Sequence, residues 1–347
     1  QLAHSAPSES AFTAVPSRFQ TETLTVGSRG LGEICLGRNF MPDGTVCNPA
    51  FLGEQTENTL MGRGFLGNGY TAIVSAHHFL FKTLSRDFLE SLFKNQQVTS
   101  LEANTGLVFT GRYLSASFSP YRLQYVSEVH NPNFPVVAVH AALERQLEIS
   151  GGFAPWDARK DWRGGVSLGL KSRVFYRQYV HGSFSLAQVL IDDPNSLLPP
   201  QQQRGFSFNP GVAWNSRDIV RRAKFRASLG LKNLGASWPA NDLYPENPDI
   251  ESGVGAEIPL SYGTLIPTLD FVDWFRGDTL LARGRLGLSY RIGMLEPMIG
   301  VNARALTLGA QFGISLVQGG IVYEMFRQDF SGRSADNRIA TELSIRI

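Results

Sequence analysis

Charge is what this sequence has least of. Only 18% of its 347 residues are charged, against roughly 25% in an average soluble domain. The formal net charge of +2 supplies no concentrated basic face of the kind nucleic-acid binders carry, so no nucleic-acid partner is expected. Long apolar runs are missing too: no window approaches the ~18 uncharged apolar residues a transmembrane helix needs. Cysteine is nearly absent, with Cys35 and Cys47 alone. His77 and His78 are adjacent and would point apart in a strand, while His4, His130, His140 and His181 form no spaced ligand cluster. There is no Walker loop and no dinucleotide fingerprint. Neither a metal nor a cofactor is expected. Against these absences stand 35 glycines, 11% aromatic and 43% hydrophobic residues, too much apolar material for a disordered chain. A large soluble β protein and a membrane β-barrel remain.

The second half of the chain separates the two. Leu306, Leu308, Ala310, Phe312, Ile314 and Leu316 share one parity, and Thr307, Gly309, Gln311, Gly313 and Ser315 the other. Ala282, Gly284, Leu286, Leu288, Tyr290 and Ile292 likewise oppose Arg283, Arg285, Ser289 and Arg291. The same period recurs at 166–174, at 222–232 and in the closing 339–347. Such runs match the roughly 9–11 residues a tilted strand needs to cross a bilayer, against about 5–6 in an average soluble strand. In a soluble sandwich the charged parity would face water; in a barrel it faces a lumen. Aromatic residues near the ends of the apolar parity (Tyr176, Phe271, Tyr290, Tyr323) fit membrane girdles. The expected fold is all-β, a transmembrane antiparallel barrel.

Turn residues bound candidate strands at 69–76, 99–109, 112–119, 121–129, 135–143, 145–153, 164–178, 180–191 and 204–214. Further ones fall at 221–233, 251–259, 262–272, 279–292, 294–303, 305–317, 319–328 and 338–347. Bent strands split in such a reading, and single-chain bacterial barrels have an even strand number, so about fourteen are expected. Pro-, Asn-, Asp- and Gln-rich stretches at 154–163, 192–203 and 236–249 read as the longer connections. Residues 79–94 break the period: Phe79, Leu80, Phe81, Leu84, Phe88, Leu89, Leu92 and Phe93 recur at helical spacing opposite Lys82, Arg86, Asp87, Glu90 and Lys94. This predicts one amphipathic helix, which would lie in the membrane interface, plug the mouth, dock a partner or cover a strand edge.

Residues 1–25 read as an extended tail. A start at Gln1 rather than Met predicts an exported chain with its signal peptide removed, placed in the bacterial outer membrane. In an oxidising compartment Cys35 and Cys47 would close a short loop worth roughly 3 kcal/mol on the chain-entropy model; the alternative is two buried thiols. On either side of them lie Gly30-Leu31-Gly32 and, after fifteen intervening residues, Asn48-Pro49-Ala50. A Gly-Leu-Gly turn followed by Asn-Pro-Ala resembles the N-terminal hatch of the FadL family, outer-membrane barrels that take up long-chain fatty acids and other hydrophobic compounds. Leu231-Lys232-Asn233-Leu234-Gly235 with Pro259, and Ser119-Pro120-Tyr121-Arg122, look like the shorter PorV- and TraF-like branch. The resemblance implies a fourteen-stranded barrel (65–347) with a hatch (26–64) in its lumen, and a kinked strand that opens a lateral gap. The large ligand-collecting insertions of the transporters do not fit into 347 residues, and the short branch includes proteins that serve secretion or assembly machines.

A lumen about fourteen strands wide is too large for its own side chains to fill, so it conducts or is plugged. The lumen-facing parity offers Arg222, Arg226, Asp270, Arg283, Arg285, Arg291, Glu296, Arg304 and Glu324, and the hatch offers Glu33, Arg38, Asp43, Glu54 and Glu57 as partners. Among hatch apolar residues, Phe40, Met41, Phe51 and Leu52 are candidate ligand contacts; the alternative is that they form the hatch's own core. Gly165-Val166-Ser167-Leu168-Gly169 matches a nucleophile elbow by letter, but the elbow needs a strand-to-helix turn and this stretch alternates straight through. No enzyme activity is expected. The first functional expectation is passage of a hydrophobic, fatty-acid-like small molecule past the hatch, with a void or a breach in the wall. The second is a non-transporting barrel that docks other envelope proteins through 1–25, 79–94 or the long loops. A soluble binding module stands third. Membrane lipid or lipopolysaccharide is an expected partner in either barrel reading.

Overall fold

The computed structural model describes residues 25–38, 47–56, 58–67, 70–94, 99–130, 135–156, 164–216, 223–239, 248–274, 283–303, 305–314, 316–326 and 338–346. A short helix α1 (Val26–Gly30) and a 3-10 turn (Pro49–Glu54) precede the first strand. The strands are β1 (Thr59–Gly67), β2 (Thr99–Thr110), β3 (Leu114–His130), β4 (Val136–Trp156), β5 (Gly165–Ser185), β6 (Gln201–Asn215), β7 (Lys224–Lys232) and β8 (Leu234–Trp238). They continue as β9 (Asp249–Leu260), β10 (Gly263–Phe271), β11 (Gly284–Arg291), β12 (Leu295–Val301), β13 (Ala305–Ile314), β14 (Val317–Phe326) and β15 (Arg338–Arg346). All pairings are antiparallel, and β15 returns to β1 with Met61 opposite Arg346, so the sheet closes.

β7 and β8 are two pieces of one strand. Both pair with β6, at Gly211–Asn215 and at Arg204–Phe208. They break at Asn233, whose φ of 57° turns the chain and whose N–H donates to Asn209 Oδ1 at 2.9 Å. Counted this way the barrel has fourteen strands.

Parity decides what each face meets. On β4, Leu147, Ile149 and Phe153 are exposed while Gln146, Glu148 and Ser150 are buried. On β5, Leu168, Leu170 and Val174 are exposed and Ser167, Lys171 and Arg173 buried. Apolar side chains left open to solvent across a whole belt are the signature of a surface that meets lipid. The chain therefore crosses the membrane as a barrel with a polar interior. Short turns (111–113, 261–262, 293–294) lie at one end together with the connections that follow β4 and β6, and the connections that follow β1, β3, β5, β8, β10 and β14 lie at the other. The stretch 154–163, expected among the outward connections, therefore belongs to the short-turn end, and its first three residues are part of β4.

Two of the connections at the end opposite the short turns carry helices. α2 (Tyr70–Phe81) and α3 (Arg86–Lys94) join β1 to β2; α4 (Leu186–Ile191) and α5 (Pro194–Leu197) join β5 to β6. Ser185 and Gln188 form a reciprocal capping box that starts α4, satisfying donors a helix start leaves unpaired. The helices cover the outward parity of the strands rather than the lumen mouth. Phe79, Leu80, Leu89, Leu92 and Val189 share one core with Leu101, Leu123, Tyr125, Val137, Val139, Leu143, Val180 and Phe184. Because β4 keeps its register with β5 from Val136 to Phe153, Val139 and Leu143 point the same way as the exposed Leu147. The strands β3 to β5 thus rise past the lipid-facing belt, and their upper outer face is roofed.

Several elements differ from the sequence-based expectation. Of the expected strand 69–76, the described residues 70–76 are helical: the run through Ile73 and Val74 belongs to α2, and the single helix over 79–94 is two, broken at 82–85. Strand β1 starts at Thr59, inside the segment assigned to the hatch. The pairs 112–119/121–129 and 135–143/145–153 are each one strand. A bulge between Ser119 and Arg122 resets the parity of β3, and burial on both faces hides the alternation of β4 above Glu144. Residues 186–191 are helical, so β5 ends at Ser185. The connection at 192–203 likewise contains α5 and the start of β6.

Candidate functional site

The described parts of the N-terminal segment, 25–38 and 47–56, lie along the inward faces of strands on all sides of the ring. Thr25 caps α1, its side chain accepting from the Ser28 N–H at 3.1 Å, and the Val26 N–H donates to Glu342 Oε2 at 2.7 Å. Arg29 is 2% exposed. Its guanidinium pairs with Glu102 of β2 and reaches Glu324 of β14 at 3.4 Å. Burial opposes that charge, but Glu102, Glu324 and Glu33 outweigh it and raise the Arg29 pKa above its ordinary value.

Gly30-Leu31-Gly32 follows as a tight turn against glycines of the wall. Gly32 has φ of 74° and donates to Thr307 Oγ1 at 3.1 Å, while the Thr307 hydroxyl donates to the Gly30 carbonyl at 3.0 Å. A Cβ on Gly300 would overlap the backbone of Leu31 and Gly32, and one on Gly287 would press on Leu31. Only hydrogen at those wall positions allows so close an approach. Leu31 and Ile34 pack on Met298.

Asp270 of β10 holds the next turn. Its two carboxylate oxygens accept from three successive backbone N–H groups, Cys35 at 2.6 Å, Leu36 at 2.7 Å and Gly37 at 2.6 Å. Ser228 donates to the Leu36 carbonyl at 2.7 Å. Cys35 and Cys47 form a disulfide, closing the loop that contains Phe40 and Met41; those two residues lie outside the described ones. Arg38 donates to Glu296 at 2.7 Å and to Ser289 at 2.8 Å.

Asn48-Pro49-Ala50 seats the last part. The Asn48 side chain caps the 3-10 turn, accepting from the Ala50 N–H at 3.0 Å, and donates to the Val212 carbonyl at 3.2 Å. Pro49 lies on Gly152 and Gly169, where an added Cβ would strike its backbone. Phe51 packs on Ala213 beneath Arg226, and Leu52 lies against Gly152; both are fully buried. Glu54 pairs with Arg226 at 2.9 Å.

Among the inward charges singled out from sequence, Arg285 donates to the Glu33 carbonyl at 2.8 Å, Arg291 and Glu296 pair at 3.1 Å, and Glu324 also meets Arg338. Arg283 sits apart at the rim, donating to the Trp274 carbonyl at 3.1 Å. Sequence reading missed a second cluster: Glu144 accepts from Arg177 at 2.8 Å and Arg173 at 3.0 Å and faces Arg122 at 3.4 Å. It also missed that the register of β4 and β5 sets His140 beside His181, Nδ1 to Nδ1 3.3 Å. Ser167 lies within β5 on the inward parity.

Between this segment and the short-turn end lies a cavity of about 850 Å³. Its walls include Tyr113, Trp156, Phe225 and Ile266 together with Arg38 and Glu54. Phe51 and Leu52 are not among its lining residues, because both are turned into the wall.

No protein-family model and no curated protein matches the sequence. Solved structures do. The toluene transporter TodX of P. putida covers 94% of this chain and 99% of its own, with a TM-score of 0.51 at 8% identity. The toluene transporter TbuX of Ralstonia pickettii covers 94% and 99%, with a TM-score of 0.56 at 10% identity. The chain has the TodX fold. What is shared at such identities is the backbone architecture, and the side chains that hold the N-terminal segment in this TodX-like barrel are its own.

Proposed function

We propose that the chain is a bacterial outer-membrane channel for a hydrophobic small molecule, with residues 25–56 as its plug. The observation that carries the reading is the combination of a lumen occupied by a separately anchored segment with an 850 Å³ cavity directly beneath it. That volume lies within the roughly 300–1,000 Å³ typical of small-molecule sites. Tyr113 and the inward-facing Ile266 offer apolar surface, and Arg38 and Arg226 suit a single acidic or polar end. The FadL-family resemblance of Gly30-Leu31-Gly32 and Asn48-Pro49-Ala50 and the shared fold with toluene transporters support the same reading. So does the wall at β8. β9 stops pairing at Asp249, opposite Lys232, so among the described residues the second edge of β8 has no strand partner. That edge lies at the level of Phe206 and Phe208, within the lipid-facing belt. The end opposite the short turns then faces outward, as in other outer-membrane barrels.

The test is uptake into proteoliposomes, with toluene and a medium-chain fatty acid as separate probes. Uptake of one above the protein-free rate, lowered at least fivefold by Tyr113→Ala with Ile266→Ala, is expected. A folded barrel that moves neither probe would overturn the reading.

A further inference from the structure

We infer that the outer wall carries a binding site for the phosphate of a lipid headgroup, built from Arg145, Tyr176, Arg204 and Trp238. These four residues form one register row across four strand segments: Arg145 faces Tyr176, Tyr176 faces Arg204, and Arg204 faces Trp238. All four are of the outward parity, the parity of Leu147, Val174 and Phe206 in the next row down. The Arg204 guanidinium lies over the Tyr176 ring, 5.6 Å from its centre. Trp238 is 58% exposed.

The row marks a boundary. Below it the outward side chains are exposed and apolar. Above it, on the same strands, Leu143 is buried under the helical roof and Gln178 donates to the Leu80 carbonyl at the end of α2. The two arginines therefore stand where the lipid-facing belt ends, at the depth at which headgroups begin and where tyrosine and tryptophan concentrate.

Charge separates these arginines from the others. Arg173 and Arg177, on the inward parity of β5, both pair with Glu144. Arg145 and Arg204 are exposed and have no carboxylate partner among the described residues. Strands two apart in a sheet lie about 10 Å from one another, so both guanidiniums reach a single phosphate above Tyr176, each with a forked pair of donors. The occupant is a phosphorylated lipid, because the row is continuous with a surface that already meets acyl chains. The site depends on the transmembrane fold and not on what passes through the lumen.

Detergent-solubilised protein titrated with lipid A, a doubly phosphorylated lipid, and read by native mass spectrometry tests the site. Two surface cations at roughly a factor of five each set the expectation: Arg145→Ala with Arg204→Ala weakens lipid A binding about thirtyfold. Arg145→Lys with Arg204→Lys restores most of the charge but not the forked geometry, and recovers part of the loss. Lys82→Ala with Arg86→Ala, at the junction of α2 and α3, leaves binding unchanged. Retarded heat-dependent migration on gels establishes that each variant is folded, and Arg204→Gln alone serves if the double variant is not. The inference is overturned if the double variant binds lipid A like the parent or if diacylglycerol, which carries no phosphate, binds as tightly. It is equally overturned if inorganic phosphate at matching concentration displaces the lipid, since that identifies a free-anion site.

Discussion

Arg29→Met isolates the anchor of the plug. The substitution keeps a long apolar stem beside Phe65, over which the guanidinium now lies, and removes the charge that Glu102 and Glu324 share. Removing one partner of a buried ion pair costs about 3–5 kcal/mol. Glu324 keeps Arg338 as a close partner, and Glu102 keeps Arg122 and Arg338, both at 3.9 Å, so the low end, about 3 kcal/mol, applies. This loss falls on the docked segment, and each 1.4 kcal/mol is tenfold in population, so transient release of α1 becomes about a hundredfold more frequent. Hydrogen exchange of the amides of Val26–Leu31 would accelerate by that factor while those of β13 and β14 stay protected. Adding Glu102→Gln would recover part of the loss, because it removes the carboxylate that Arg29→Met leaves poorly paired. Less than threefold acceleration, or equal acceleration across the barrel strands, would refute the idea that Arg29 anchors a separable segment.

Other consequences are testable alongside. Asp270→Ala removes three charge-assisted bonds to the Cys35–Gly37 turn, and at roughly 1.5–3 kcal/mol for a bond to a charged group should expose that turn to limited proteolysis; an unchanged cleavage pattern would count against it. Gly300→Ala would displace Leu31-Gly32 with no loss of charge, raising single-channel conductance in planar bilayers; unaltered conductance would show that the close approach does not seat the plug. Reducing Cys35–Cys47, whose loop spans a separation of 12 residues, should cost about 3 kcal/mol and speed exchange in the plug, with the barrel melting temperature unmoved. Leu89→Ala, fully buried on the strand-facing side of α3, should destabilise the helical roof by about 2–5 kcal/mol, visible as faster exchange in α2–α4 without loss of the barrel.

The barrel was legible because its C-terminal strands face lipid on one side and a polar lumen on the other. There, Leu306 to Ile314 alternate without interruption, as do Leu286 to Ile292. The first half was harder to read for a physical reason: β3 to β5 are buried on both faces where helices roof them, and the inward positions of β4 there are Ala138, His140 and Ala142, so Val137 to Leu143 lose the period of two. Tyr70 to Val74 carry β-branched and aromatic residues that suit a strand equally well, and the helix wins through its packing on Leu123 and Tyr125. Within the plug, Asn48 was readable as the start of a turn and Gly30 and Gly32 as a motif. Their partners were not, since Glu102, Asp270 and Glu342 lie dozens to hundreds of positions away and only barrel closure brings them near. The candidate contacts Phe51 and Leu52 were apolar in the right segment, yet the wall glycines at 152 and 169 draw that part of the chain into the sheet.

The bond from Val26 to Glu342 spans a sequence separation of 316 residues. The segment precedes every barrel strand in the sequence, while β10 to β15, which supply most of its partners, follow the other strands. Its α1 part therefore lacks its full set of partners until β15 is in place, and is enclosed as Met61 to Gly67 zip against Ala340 to Arg346. Docking thus reports that biogenesis is complete. A chain ending before Arg338 lacks the acceptor for Val26 and the seam that traps it, and proteases of the envelope would meet an open sheet with a loose N-terminus.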